Sequence, residues 1–206
     1  MFYKIFSPVL IVTLIDSLYL VAAVTISFYV QPSEANAQTP EHTNNSSNST
    51  SFLTYENPIF GIKMLYPTDW VKLENTSSHN KNSTLIDLVA FGPQSNASSG
   101  IPGKLVVKVD NISDIKPITV SEYSNQIIGD LRQDFKVAGS TTTLAGLPAY
   151  EFVYTGAEES VNLKAMLVLT IKGDRAYIMS YTAEPEIFQS YLPKVQKMID
   201  SFEILK

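Results

Sequence analysis

Cysteine is missing from the chain altogether, and histidine occurs only at His42 and His79. Their scarcity excludes disulfides, thiol nucleophiles, cysteine zinc sites, haem attachment and a multi-histidine metal cage. Charge is thin as well: Asp, Glu, Lys and Arg make up 17% of residues, against roughly 25% in ordinary soluble domains. It leans acidic, with 15 Lys and Arg against 20 Asp and Glu and a net charge of −5. No basic block is present to follow a phosphate backbone, so nucleic acid is not an expected partner. There is no Gly-x-Ser-x-Gly elbow and no glycine-rich phosphate loop after a strand. What is abundant is apolar, 45% of 206 residues. That is enough for a core and too much for a largely disordered chain, and the length fits one domain with an extension.

The extension is N-terminal. Residues Val9 to Val30 are almost wholly apolar, interrupted by Asp16 and small hydroxyl residues, and about 20 such residues span a bilayer as a helix. Lys4 supplies a short positive leader, and Ala35-Asn36-Ala37 before Gln38 has the small-x-small spacing of a signal-peptidase site. Residues 1–37 therefore read as a signal peptide or, if uncleaved, as a membrane anchor, and no cysteine is available for a lipoprotein anchor. Residues 38–51 are Asn, Ser, Thr, Pro, Glu, His and Gln with scarcely an apolar side chain, a composition that cannot offset ordering entropy and predicts a disordered spacer. Asn-x-Ser/Thr sequons stand at Asn44, Asn45, Asn48, Asn75, Asn82, Asn96 and Asn111. All lie in or beside polar stretches, as N-glycosylated loops do.

Residues 52–206 form the domain, and its patterning predicts an α+β fold. Leu53–Tyr55 and Ile62–Tyr66 read as strands of a hairpin around Asn57-Pro58 and Gly61. Pro67 closes the second, and Thr68-Asp69 is expected to cap a short turn carrying Trp70, the only tryptophan. Strands follow at Leu85–Phe91 and Lys104–Val109. Thr119-Val120-Ser121-Glu122 is a capping box, and Val120, Tyr123, Ile127, Ile128, Leu131 and Phe135 lie on one helical face. Ala149–Thr155, Leu163–Ile171 and Ala176–Thr182 read as an antiparallel meander on short links. Pro185–Phe202 carries a helical apolar stripe, with Pro193 expected to kink it or split it in two. The elements amount to a central antiparallel sheet of about six strands with helices packed on its faces.

The series Tyr55-x-Asn57-x-x-Phe60-Gly61-Ile62-x-Met64-x-Tyr66-Pro67-x-x-Trp70, then Leu144-Ala145-Gly146-Leu147-Pro148-Ala149, and finally Ile199-Asp200-Ser201-Phe202 resembles the PsbP-like domain over nearly all of residues 52–206. The resemblance implies an α/β/α sandwich. The family is named for an extrinsic subunit of photosystem II, and many archaeal and bacterial members are exported proteins without a photosynthetic role. Nothing in the matching residues is catalytic. The photosystem subunit's association with calcium does not transfer to particular positions here, and its basic docking surface meets a domain with 14 Lys and Arg against 17 Asp and Glu.

Among the residues themselves, Asp110-Asn111-Ile112-Ser113-Asp114 packs oxygen donors into a post-strand turn, which suits calcium at Asp110 and Asp114, although the glycine and distant glutamate of an EF-hand are absent. A solvated Asx turn accounts for the same pattern. Trp70 reads as a core anchor or as the rim of a binding groove, and Asp69 as a cap or one half of an acid/base pair. His79 lies in a polar loop, and Glu158-Glu159 at a hairpin tip. The reading is thus of a non-catalytic, extracytoplasmic binding or accessory domain. It would be secreted or anchored to the outer face of the cytoplasmic membrane, with no cofactor, and would act on an envelope or membrane protein or a small ligand. The alternatives are a calcium-dependent accessory factor of a membrane complex and an envelope hydrolase.

Overall fold

A computed structural model describes residues 51–74, 84–94, 103–115, 117–132, 135–158 and 161–205. Residues 1–37, read above as a signal peptide or anchor, residues 38–50 of the expected spacer, His42, His79, Glu159 and the sequons at Asn44, Asn45, Asn48, Asn75, Asn82 and Asn96 lie outside them.

Among the described residues the domain has ten strands and two helices. They are β1 (Phe52–Asn57), β2 (Ile62–Pro67), β3 (Trp70–Glu74), β4 (Leu85–Pro93), β5 (Lys104–Asn111), α1 (Val120–Leu131), β6 (Lys136–Leu144), β7 (Leu147–Glu158), β8 (Val161–Lys172), β9 (Arg175–Ala183), α2 (Pro185–Asp200) and β10 (Glu203–Ile204). Seven strands form one sheet in the order β3-β4-β5-β9-β8-β7-β6, and β1-β2-β10 form a second. Every strand pair is antiparallel. The main sheet therefore holds seven strands rather than about six, and it is accompanied by a separate three-stranded one.

Side chains alternate across a strand, and this divides the main sheet into two buried faces. Leu105, Val107 and Val109 of β5, Met166 and Val168 of β8 and Tyr177, Met179 and Tyr181 of β9 share a core with Phe188, Val195, Met198 and Ile199 of α2 and with Tyr55, Ile62 and Met64 of the small sheet. The opposite face is covered over β6, β7 and β8 by α1. It carries Phe152, Leu167 and Leu169, all buried together with Tyr123, Ile127, Ile128 and Leu131 of the helix. One helix thus lies on each face, and on one of them the small sheet shares the layer, so the α/β/α description holds only in part.

The capping box is formed: the Glu122 N–H donates to Thr119 Oγ1 at 3.2 Å, and the Thr119 N–H donates to Glu122 Oε2 at 2.8 Å. The helix stops at Leu131, short of the expected Phe135. Phe135 instead lies over Gly156, where any Cβ would sit within 2.3 Å of its ring, and packs on Tyr154 with centroids 5.2 Å apart. Pro193 does not split α2. Phe188 before it and Val195, Met198 and Ile199 after it enter the same core, and that packing outweighs the backbone bond a proline gives up. Trp70 opens β3 rather than sitting in a turn.

Candidate functional site

The residues singled out from the sequence fall in different places. Trp70 is 4% exposed and meets Tyr191 of α2 edge-on, centroids 5.6 Å apart. Its neighbour Asp69 is exposed and accepts a hydrogen bond from Lys194 Nζ of the same helix, and Lys194 lies 5.8 Å from the Tyr191 ring. The start of β3 is thereby fastened to α2 by a ring contact and an ion pair, and Trp70 lies in the core rather than on an open rim. Its indole nitrogen is buried with no hydrogen-bond partner among the described residues.

Asp110 and Asp114 have different surroundings. Asp110, 1% exposed, faces inward from β5 and accepts a hydrogen bond from the Tyr123 hydroxyl at 2.8 Å. Its second oxygen is buried without a hydrogen-bond partner among the described residues. Asp114 is exposed in the turn beyond. Between them the Asn111 carboxamide oxygen accepts from the Ser113 N–H at 3.0 Å, an Asx turn, which leaves Asn111 exposed at the strand end. Among the described residues no three His, Asp or Glu side chains gather as a metal cage would require. Ile112, Ser113, Ile115 and Pro117 to Thr119 line a shallow, mostly aliphatic groove of about 440 Å³ with Gly173 and Asp174. A second groove, of about 480 Å³, lies between the β6–β7 turn at Thr143–Gly146 and the end of α2, where Asp200 and Glu203 line it.

Another polar constellation, of whose members only Asp110 was a candidate, lies on β5. On the face of β5 opposite α2, Lys108 is fully buried and donates to Asp87 of β4 at 2.8 Å, its register partner beside a bulge. Lys104 lies on the same face. Burial holds its ammonium below the ordinary lysine range, Lys108 adds to that shift, and Asp87 opposes it. Asp110 and Tyr123 continue the row, and the Tyr123 hydroxyl is pushed well above the usual tyrosine range by burial first and by the Asp110 carboxylate second. Charged side chains this deep are rare unless paired. The signal was the alternation Lys104-Leu105-Val106-Val107-Lys108-Val109-Asp110, which reads as one apolar and one solvated face. Here the polar face is enclosed.

The domain is an antiparallel seven-stranded sheet with one helix on each face and a short three-stranded sheet beside α2. The chain belongs to the family of PsbP-like proteins, whose model matches residues 11–204. Among solved structures it is similar to the cyanobacterial PsbP (CyanoP) of Synechocystis sp. PCC 6803, at 12% identity and a TM-score of 0.53 over 79% of this chain and 98% of that one. It is also similar to LpqN of Mycobacterium tuberculosis, a protein involved in cell envelope biogenesis, at 13% identity and a TM-score of 0.51 over 70% and 83%. At such identities the likeness is one of fold. No curated protein matches the chain.

Proposed function

We propose that this chain is a non-catalytic accessory protein that acts by binding at the outer side of the cell envelope. The observation that carries the reading is how the acidic side chains are used. Asp87 holds Lys108, Asp110 holds Tyr123, Asp69 holds Lys194 and Glu122 closes the cap of α1. Each works for the fold, whereas an enzyme needs titratable groups converging on one cleft. Membership of a family of accessory proteins supports the same reading. The address rests on the apolar segment at residues 9–30 and the cleavage pattern at 35–38, and the likeness to an envelope-biogenesis protein is consistent with it.

Two experiments test it. In intact cells an added protease should digest the domain, while a cytoplasmic marker survives; a chain degraded only after lysis would remove the extracytoplasmic reading. The melting temperature of the chain should stay within about 1 °C in millimolar calcium and in chelator. A calcium-dependent rise of several degrees would favour the calcium-dependent accessory factor instead, since a ligand that binds only the native state raises its stability by mass action.

A further inference from the structure

The main sheet ends in two very different edges. β3 is five residues long and carries Lys72 and Glu74, paired with each other, as a protected edge does. β6 at the other side is nine residues long and pairs with β7 in unbroken register from Lys136↔Thr155 to Leu144↔Leu147. Its central run Val137-Ala138-Gly139-Ser140-Thr141-Thr142-Thr143 has no charge and no proline, and no bulge twists it away. Among the described residues nothing pairs with its outer side. Lys136 at its first position is the one edge-blunting charge on β6, and among the described residues the strand has no proline, bulge or covering element beside it.

We propose that β6 is a self-association edge, and that its occupant is β6 of a second copy of this chain, antiparallel about a two-fold axis through Ser140 and normal to the sheet. Ser140 then faces Ser140, and Lys136 of each copy faces Leu144 of the other. An isologous contact of this kind closes at two copies. The charge distribution favours this occupant. Lys136 is exposed, and by alternation it shares the face of Leu144, which is the α2 side of the sheet. A two-fold axis normal to the sheet keeps that face common to both copies. Leu144 lines the groove that also holds the exposed acids Asp200 and Glu203. Each copy therefore brings a lysine to the acidic groove of the other, twice per dimer, while the strand between stays neutral and free of like-charge repulsion.

The absence of cysteine makes the test clean. Directly opposed residues of an antiparallel pair lie about 4.5–5.5 Å apart at Cα, within the span of a disulfide. In the full chain, in detergent, Ser140→Cys should give a covalent dimer under mild oxidation, while Gly129→Cys on the exposed side of α1 stays monomeric. Ala138→Cys and Thr142→Cys should cross-link with each other when mixed and not alone. Lys136→Glu should lower the Ser140→Cys dimer yield about tenfold, and Asp200→Lys with Glu203→Lys should restore it. If Ser140→Cys cross-links no more than Gly129→Cys, or if Lys136→Glu leaves the yield unchanged, the self-association edge is wrong. A monomer that instead pairs β6 with another protein's strand gives the first of those results.

Discussion

Trp70 shows how much a single side chain carries here. It belongs to the α2-side core, touches Tyr191 and begins an edge strand whose next four residues are exposed, so little else fixes that end of the sheet. Trp70→Ala should cost about 3–5 kcal/mol in urea unfolding, and a loss under about 1 kcal/mol would place the ring outside the core. Ala145 works the other way. It adopts φ 52° beside Gly146 at φ 73° in the β6–β7 turn, the two positive angles a type I′ hairpin demands. A left-handed alanine costs roughly 1–2 kcal/mol, while glycine gives back roughly 0.5–1 in unfolded-chain entropy. Ala145→Gly should therefore raise stability by about 0.5–1 kcal/mol, read as a higher urea midpoint at unchanged m-value.

The buried hydroxyls set an alkaline limit. Burial raises Tyr123, Tyr181 and Tyr55, with the Asp110 carboxylate adding to the first. A raised pKa means that the unfolded chain loses these protons first as pH climbs, so the stability they confer is complete below about pH 10 and declines above it. Tyr123→Phe should flatten that decline. At pH 7 it should cost about 1–3 kcal/mol, because Asp110 loses the partner of its one bonded oxygen. Urea melts at pH 7 and at pH 10.5 check both parts.

At the scale of elements, α1 depends on its first turn. Thr119→Ala removes the side-chain acceptor of the Glu122 N–H and should lower stability by about 1 kcal/mol, measured by denaturant titration. This cap was legible from Thr119-x-x-Glu122, as were the β1–β2 hairpin, the β7–β8–β9 meander and both helices, because each carries a strong period or a turn signal. β6 was not. Gly139-Ser140-Thr141-Thr142-Thr143 has no apolar alternation, since an edge strand with most of its residues exposed buries too little for a pattern to form. β3 was missed for a related reason: Trp70 is its only buried residue, and Pro67 and Asp69 suggested a turn. The buried polar row of β5 was visible as alternation, but the burial of its charged face is set by elements distant in sequence, which periodicity does not encode.

At the scale of the molecule, function on this proposal lies in where the domain is and what it touches rather than in a catalytic group. Complementation of a deletion strain tests this most directly, with two forms of the chain compared side by side. One carries Asp69→Asn and Asp114→Asn in the full chain; the other lacks residues 1–37, the segment proposed to direct export, and fractionation establishes that it stays in the cytoplasm. Circular dichroism and melting establish that both are folded. The account predicts that the doubly neutralised, exported chain complements and the folded cytoplasmic one does not. A cytoplasmic form that restores the phenotype, or an exported and folded double variant that fails to, would contradict it and move the search to chemistry at Asp69 or Asp114.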